Sequence, residues 1–126
     1  MIFECWIPLL PPGINRMYGK GRGRVYLTDE ARKWAKDASF IIGAEAGKTG
    51  WEDYGGEFEI EIVMYGSRLD VDAPVKLIID TVTRKLDFDD SRVIMQSSRT
   101  VRDTDKEGVQ VVLREVRGGQ CPSMLI

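Results

Sequence analysis

Apolar and polar residues alternate most cleanly along Glu57-Phe58-Glu59-Ile60-Glu61-Ile62-Val63-Met64-Tyr65, with Phe58, Ile60, Ile62 and Met64 on one side and the glutamates on the other. A period of two is that of a strand with one buried face. Ile2 to Leu9 mixes aromatic and β-branched residues and meets Pro8 and Pro11-Pro12-Gly13, which predicts a strand stopped by a turn. Two more β-rich runs, Arg92 to Val101 and Val109 to Val116, flank the charged turn 102–108 and read as a hairpin. Elsewhere the period is helical. Thr28 is a good N-cap before Asp29 and Glu30, and Ala31, Trp34, Ala35, Ala38, Ile41 and Ile42 recur at helical spacing, so an amphipathic helix ends between Gly43 and Gly47. Val75, Ile78, Ile79, Val82 and Leu86 form the stripe of a second helix that starts at Ala73 or Pro74, since proline suits a first turn; Asp72 then lies at or near its N-cap.

These elements predict one compact α+β domain with a mixed sheet of about four strands and two principal helices. It covers residues 1–116, and 117–126 read as a frayed C-terminal tail. At 126 residues, with 43% apolar and 30% charged positions, the chain has the composition of a single globular core. No apolar run approaches the roughly 18 residues of a membrane span, and Met1-Ile2-Phe3-Glu4-Cys5 lacks the basic start of a signal peptide. The expectation is a cytoplasmic protein without a membrane partner.

Charge and missing residue types narrow the chemistry. There is no His, so mechanisms built on a Ser-His-Asp or Cys-His pair are excluded; Cys5 and Cys121 near opposite ends give neither a zinc site nor a disulfide framework. The net charge of −2 and pI near 5.2 argue mildly against nucleic acid. The distribution argues the other way. From Arg16 to Lys36 seven bases face three acids, and the glycines among Asn15, Arg16, Lys20, Arg22 and Arg24 allow the backbone to approach a phosphate closely; the same segment also reads as a solvated loop. Neither Gly19-Lys20-Gly21-Arg22-Gly23 nor Gly43 to Thr49 completes a nucleotide-binding glycine motif.

The remaining signal is acidic. Asp70-Val71-Asp72 precedes the second helix, Lys76 and Asp80 follow Asp72 at steps of four along one helical edge, and Asp87-Phe88-Asp89-Asp90 comes after it. Carboxylates crowded at both ends of one helix repel each other unless a cation lies among them. Oxygen-only ligation suits Mg²⁺ or Mn²⁺, which would polarise a phosphodiester and activate water without any His. Asp70 and Asp72, if extended, project to the same side, and Asp89 or Asp90 could close the site. Each feature also has a structural reading: Asp72 as a cap, Lys76 with Asp80 as an exposed ion pair, and 87–90 as an acidic turn.

Taken with Pro11-Pro12-Gly13-Ile14-Asn15-Arg16, Arg22-Gly23-Arg24-Val25-Tyr26-Leu27-Thr28 and Asp89-Asp90-Ser91, the chain resembles the RusA-type Holliday junction resolvases of bacteria and phages. The resemblance spans nearly everything but the tail. It implies a homodimeric, Mg²⁺-dependent endodeoxyribonuclease that places paired nicks in four-way DNA junctions during recombination and repair. By motif position Asp70, Asp72 and Asp90 would be the catalytic metal-binding acids with Asp89 beside them, Lys76 the essential cation, and Asn15, Arg16, Lys20, Arg22, Arg24 and Arg68 the DNA contacts. The chain departs from the family in three places. Ala73 and Pro74 follow Asp72 where an Asn is common, Leu69 separates Arg68 from Asp70, and Leu86-Asp87 stand where a Gly usually precedes the acid pair. The opposing expectations are a non-catalytic branched-DNA-binding dimer on the same scaffold, or an acid-capped dimerisation protein with no nucleic-acid role.

Overall fold

The structure, a computed structural model, describes residues 2–13, 18–21, 24–67 and 72–117. Strand β1 (Ile2–Ile7) is followed by the short pair β2 (Tyr18–Gly21) and β3 (Arg24–Leu27), then helix α1 (Asp29–Thr49), strand β4 (Glu57–Tyr65) and helix α2 (Asp72–Lys85). A single 3-10 turn (Asp90–Arg92) leads into β5 (Val93–Val101), and β6 (Gly108–Arg117) ends the fold. The result is an α+β domain with a mixed four-stranded sheet and two principal helices. None of the described helices is long and apolar enough to cross a membrane.

The strand order is β1-β6-β4-β5. β4 pairs antiparallel with β6 and parallel with β5, so the hairpin expected from β5 and β6 does not form. Two physical facts account for this. A parallel neighbour needs a crossover, and α2 supplies it between β4 and β5. The centre of the sheet also goes to the strand with the most apolar surface to bury: Phe58, Ile60, Ile62, Val63 and Met64 of β4 are all buried, whereas most of β5 is exposed. The segment 102–107 therefore steps over the end of β4, a distance of about 10 Å at the usual strand spacing.

The core lies between one face of the sheet and the two helices. Phe3, Cys5 and Ile7 of β1, the alternate residues of β4, and Val109, Val111 and Leu113 of β6 form one cluster with Ala31, Trp34, Ala38 and Ile42 of α1 and Val75, Leu77, Ile78 and Val82 of α2. Thr28 caps α1 as expected, accepting the Ala31 N–H at 3.2 Å. The helix nevertheless runs past Gly43 and Gly47 to end at Gly50, which has φ 73 and returns its N–H to the Ala46 carbonyl. Burial of Ile42 and contacts made by Ala46 outweigh the weak helix preference of two glycines. The indole of Trp34 donates to the Leu9 carbonyl at 2.9 Å and ties the turn after β1 to α1. Burial pushes the Cys5 thiol up to about 11, helped by Glu45, which leaves it an unreactive part of the core.

Two differences concern segment ends. The basic stretch read as an arm or loop contains the antiparallel pair β2 and β3, with Gly19 opposite Tyr26. β6 also runs one residue into the expected tail, with Arg117 opposite Glu57; residues 118–126 lie outside the described residues.

Ile62 is fully buried at the centre of β4, where neighbouring strands limit collapse around a void. Ile62→Ala should lower unfolding free energy by about 3–4 kcal/mol, read from urea denaturation at constant slope.

Candidate functional site

Two of the sequence-predicted site residues meet in a cleft between α2 and edge strand β5. It has a volume of about 350 Å³ and is lined by Val75, Lys76, Ile79, Asp80, Asp90, Val93 and Gln96. The helical period explains one wall: Val75 and Ile79 turn towards the core, and the adjoining edge carries Lys76 and Asp80 one turn apart, with Lys76 exposed and Asp80 half-buried. Asp90, fourteen residues beyond Lys76, forms the other wall from the 3-10 turn.

How α2 ends decides where Asp90 goes. The Phe88 N–H donates to the Thr83 carbonyl at 3.0 Å and the Asp87 N–H to the Arg84 carbonyl at 3.3 Å, the paired bonds of a Schellman stop. The residue between helix and exit must be left-handed, and Asp87 takes that conformation with φ 61. Aspartate tolerates this conformation at a cost that glycine would avoid. Phe88 then turns inward against Phe58, with ring centroids 4.7 Å apart.

The acidic turn is fixed from both sides. The Asp89 carboxylate accepts the Ser91 N–H at 2.9 Å, and the Arg92 N–H donates to the Asp89 carbonyl at 3.0 Å. Hydrogen bonding from the Ser91 backbone, then from the Ser91 and Asp90 side chains, holds the Asp89 carboxyl below its ordinary range, so it is charged at neutral pH. Arg92 anchors the turn to the loop before β4. Its guanidinium lies over the rings of Phe58 and Phe88, at 5.2 and 5.4 Å from their centroids. Nε donates to the Gly56 carbonyl at 2.9 Å, while Nη1 and Nη2 donate to the two Asp53 oxygens at 2.8 and 2.5 Å. The Arg92 hydrogen bonds hold the Asp53 carboxyl below the usual carboxylate range, assisted by the Gly55 N–H.

Asp80 has a wider reach than its place in the motif suggested. It borders two further clefts: one of about 290 Å³ with Thr83, Arg84, Phe88, Asp89 and Asp90, and one of about 180 Å³ between α1 and α2 whose walls include Lys36 and Arg84. Spacing from Lys76 marked Asp80 in the sequence; no sequence signal marked Gln96 or Arg84, which join the site through strand pairing and helix packing.

The other predicted residues divide by position. Asp72 opens α2, and Lys20 and Arg24 lie on β2 and β3; only their backbones are described. Asp70, Asn15, Arg16, Arg22 and Arg68 lie outside the described residues. Asp72 and Asp80 are two turns apart, about 12 Å along the axis, too far for both to hold one ion; Asp90 borders the stretch of helix between them. Among the described residues no three acidic or thiol groups gather into a set that could hold a metal. The donors that do border the cleft, Asp80, Asp90 and Gln96, are hard oxygen ligands of the type Mg²⁺ takes.

No protein-family model matches the chain, and no curated protein matches it. Among solved structures, 2C-methyl-D-erythritol 2,4-cyclodiphosphate synthase from Plasmodium vivax is similar over 90% of this chain and 97% of that chain at 9% identity, with a TM-score of 0.35. A likeness that slight carries no argument about function.

Asp87→Gly should raise stability by about 0.5–1 kcal/mol in chemical denaturation, because it relieves the left-handed residue at the end of α2. Acid should weaken the Arg92 anchor. Asp53 binds its proton less readily folded than unfolded, so its contribution is complete above the ordinary value of 3.8 and is lost as pH falls through the lower folded value. Melting temperatures between pH 6 and pH 2.5 should fall less steeply for Asp53→Asn than for the unaltered protein, from a lower starting point.

Proposed function

We propose that the protein is a Mg²⁺-dependent endonuclease of branched DNA that acts as a homodimer and hydrolyses phosphodiesters at four-way junctions. The observation that carries this reading is the shared cleft of Lys76, Asp80 and Asp90, in which an acid of the turn before β5 stands beside the Lys–Asp edge of α2. Asp70, Asp72 and Asp90, with Asp89 beside them, would hold the metal, and the resemblance of the motif supports that set. When bound there, Mg²⁺ supplies an activated water and a Lewis acid for the phosphodiester.

The chain's own groups supply the rest. Lys76 stands exposed at the cleft, where an ammonium can meet charge developing on a phosphate oxygen. Lys36 and Arg84 border the adjoining cleft and extend the positive charge along a backbone path. Asp89 caps the 3-10 turn and Arg92 anchors it, so that Asp90 is presented from a rigid support. The glycine-spaced bases from Arg16 to Arg24 would add sequence-independent contacts to phosphates.

A fixed, end-labelled four-way junction incubated with the protein should be nicked symmetrically in Mg²⁺ and left intact in EDTA. Asp72→Asn, Asp90→Asn and Lys76→Ala should each slow nicking at least about a hundredfold. The two Asn variants should bind the junction as well as the unaltered protein or better, because a negative charge near phosphate is removed. Normal cleavage by both Asn variants would refute the site. Junction binding without nicks in Mg²⁺ or Mn²⁺ would point to a binding module, and the lack of any salt-sensitive association would remove DNA from the reading.

A further inference from the structure

Strand β6 and both helices finish at the same end of the sheet. Arg117 of β6 pairs with Glu57, the first residue of β4, and α1 runs down to the short loop that leads into Glu57. α2 returns to that level as well, since Phe58 pairs with Val93 at the start of β5. There the two helices and the loop after α1 leave a groove of about 470 Å³, lined by Phe40, Gly43, Ala44, Ala46, Trp51 and Leu86, with Lys85 beside them. Gly43 lets the stem of Lys85 lie against α1, because a Cβ there would stand 2.5 Å from its Cε. Among the described residues Phe40 is the most exposed large apolar side chain, at 77%.

We propose that the segment following β6 docks in this groove through Met124, Leu125 and Ile126 and covers Phe40. Its composition is the first reason. Residues 118–126, which lie outside the described residues, hold no charged side chain in a chain that is 30% charged, and they include the run Met124-Leu125-Ile126. Solvated segments are rich in charge, so this composition suits burial. Reach is the second. Arg117 stands ~5 Å from Glu57 across the strand pair, Phe58 follows, and the Phe58 and Trp51 ring centroids are 5.7 Å apart, which puts the near wall of the groove within roughly 20 Å of the exit from β6. The stretch from Arg117 to Met124 spans up to ~23 Å when extended, and Gly118-Gly119 permit the turn out of the sheet. The third is tethering: a link this short keeps the segment at about millimolar effective concentration beside its own groove, which favours it over the same segment of another copy.

The side chains suit the walls. A thioether and two branched chains adapt to an apolar cleft between aromatic rings and alanines, and the volume lies within the ~300–1,000 Å³ of pockets that take a compact ligand. Docking would also cover Trp51, whose ring centroid lies 5.8, 5.7 and 6.4 Å from those of Phe3, Phe58 and Phe88. The segment thereby closes the open side of the aromatic cluster from which the acidic turn departs. Docking of this kind involves neither DNA nor metal and is independent of the nuclease reading.

The test is NMR on the full chain together with melting of a chain that stops at Arg117. Nuclear Overhauser contacts should join the Met124 methyl to the rings of Phe40 and Trp51, and Leu125→Asp with Ile126→Asp should abolish them. Stopping at Arg117 should shift the amide resonances of Phe40, Ala44 and Leu86 and lower the melting temperature by about 3–6 °C. Phe40→Asp, a change at an exposed position, should destabilise the full chain by a similar amount and the shortened chain hardly at all. That difference separates docking from any fault in the helix itself. Unchanged resonances and melting on shortening would overturn the proposal. Contacts found only between copies carrying different isotopes would overturn it too, by assigning the groove to the segment of a neighbouring chain.

Discussion

The position of β4 between β5 and β6 is the constraint on which the site depends, because a parallel β5 can reach β4 only through the α2 crossover. With β4 buried at the centre, α2 lies over it and the start of β5 comes up beside the middle of α2. Lys76 and Asp80 on the helix and Asp90 before the strand then face one cleft. Had β5 paired with β6 as a hairpin, the acidic turn would have no reason to approach the helix.

Local interactions refine that arrangement to the level of single side chains. The left-handed Asp87 ends α2, Phe88 enters the core, and Arg92 is held between two aromatic rings and a carboxylate. These contacts join the loop before β4 to the turn before β5. A guanidinium stacked on rings and bonded through three nitrogens has few other orientations available, which suits it to fixing the frame of a neighbouring acid. At Asp87 the backbone keeps the left-handed turn, and the side chain bears the strain.

The sheet's two faces follow different rules. One face is continuous apolar surface covered by helices; the other alternates charge across strands and buries two valines between longer neighbours. Alternating charge on adjacent strands stabilises the isolated sheet only slightly, since such exposed pairs contribute at most about 1 kcal/mol each.

Much was legible from residue order alone. The strict alternation of β4, the Thr28 cap, the stripe from Val75 to Leu86 and the coexistence of two helices with four strands are local periodicities, and burial on one side imposes such periods wherever the element lies. The placing of Lys76 and Asp80 on one helical edge was equally legible, because a step of four residues is helical. What residue order left open was pairing: which strands are neighbours, how far α1 continues past its glycines, and that Asp90 faces Lys76 and Asp80. Arg84, Gln96 and the Arg92–Asp53 anchor belong with these. Such relations are set by competition among distant apolar surfaces for the centre of the sheet, a nonlocal free energy to which no short window of sequence has access.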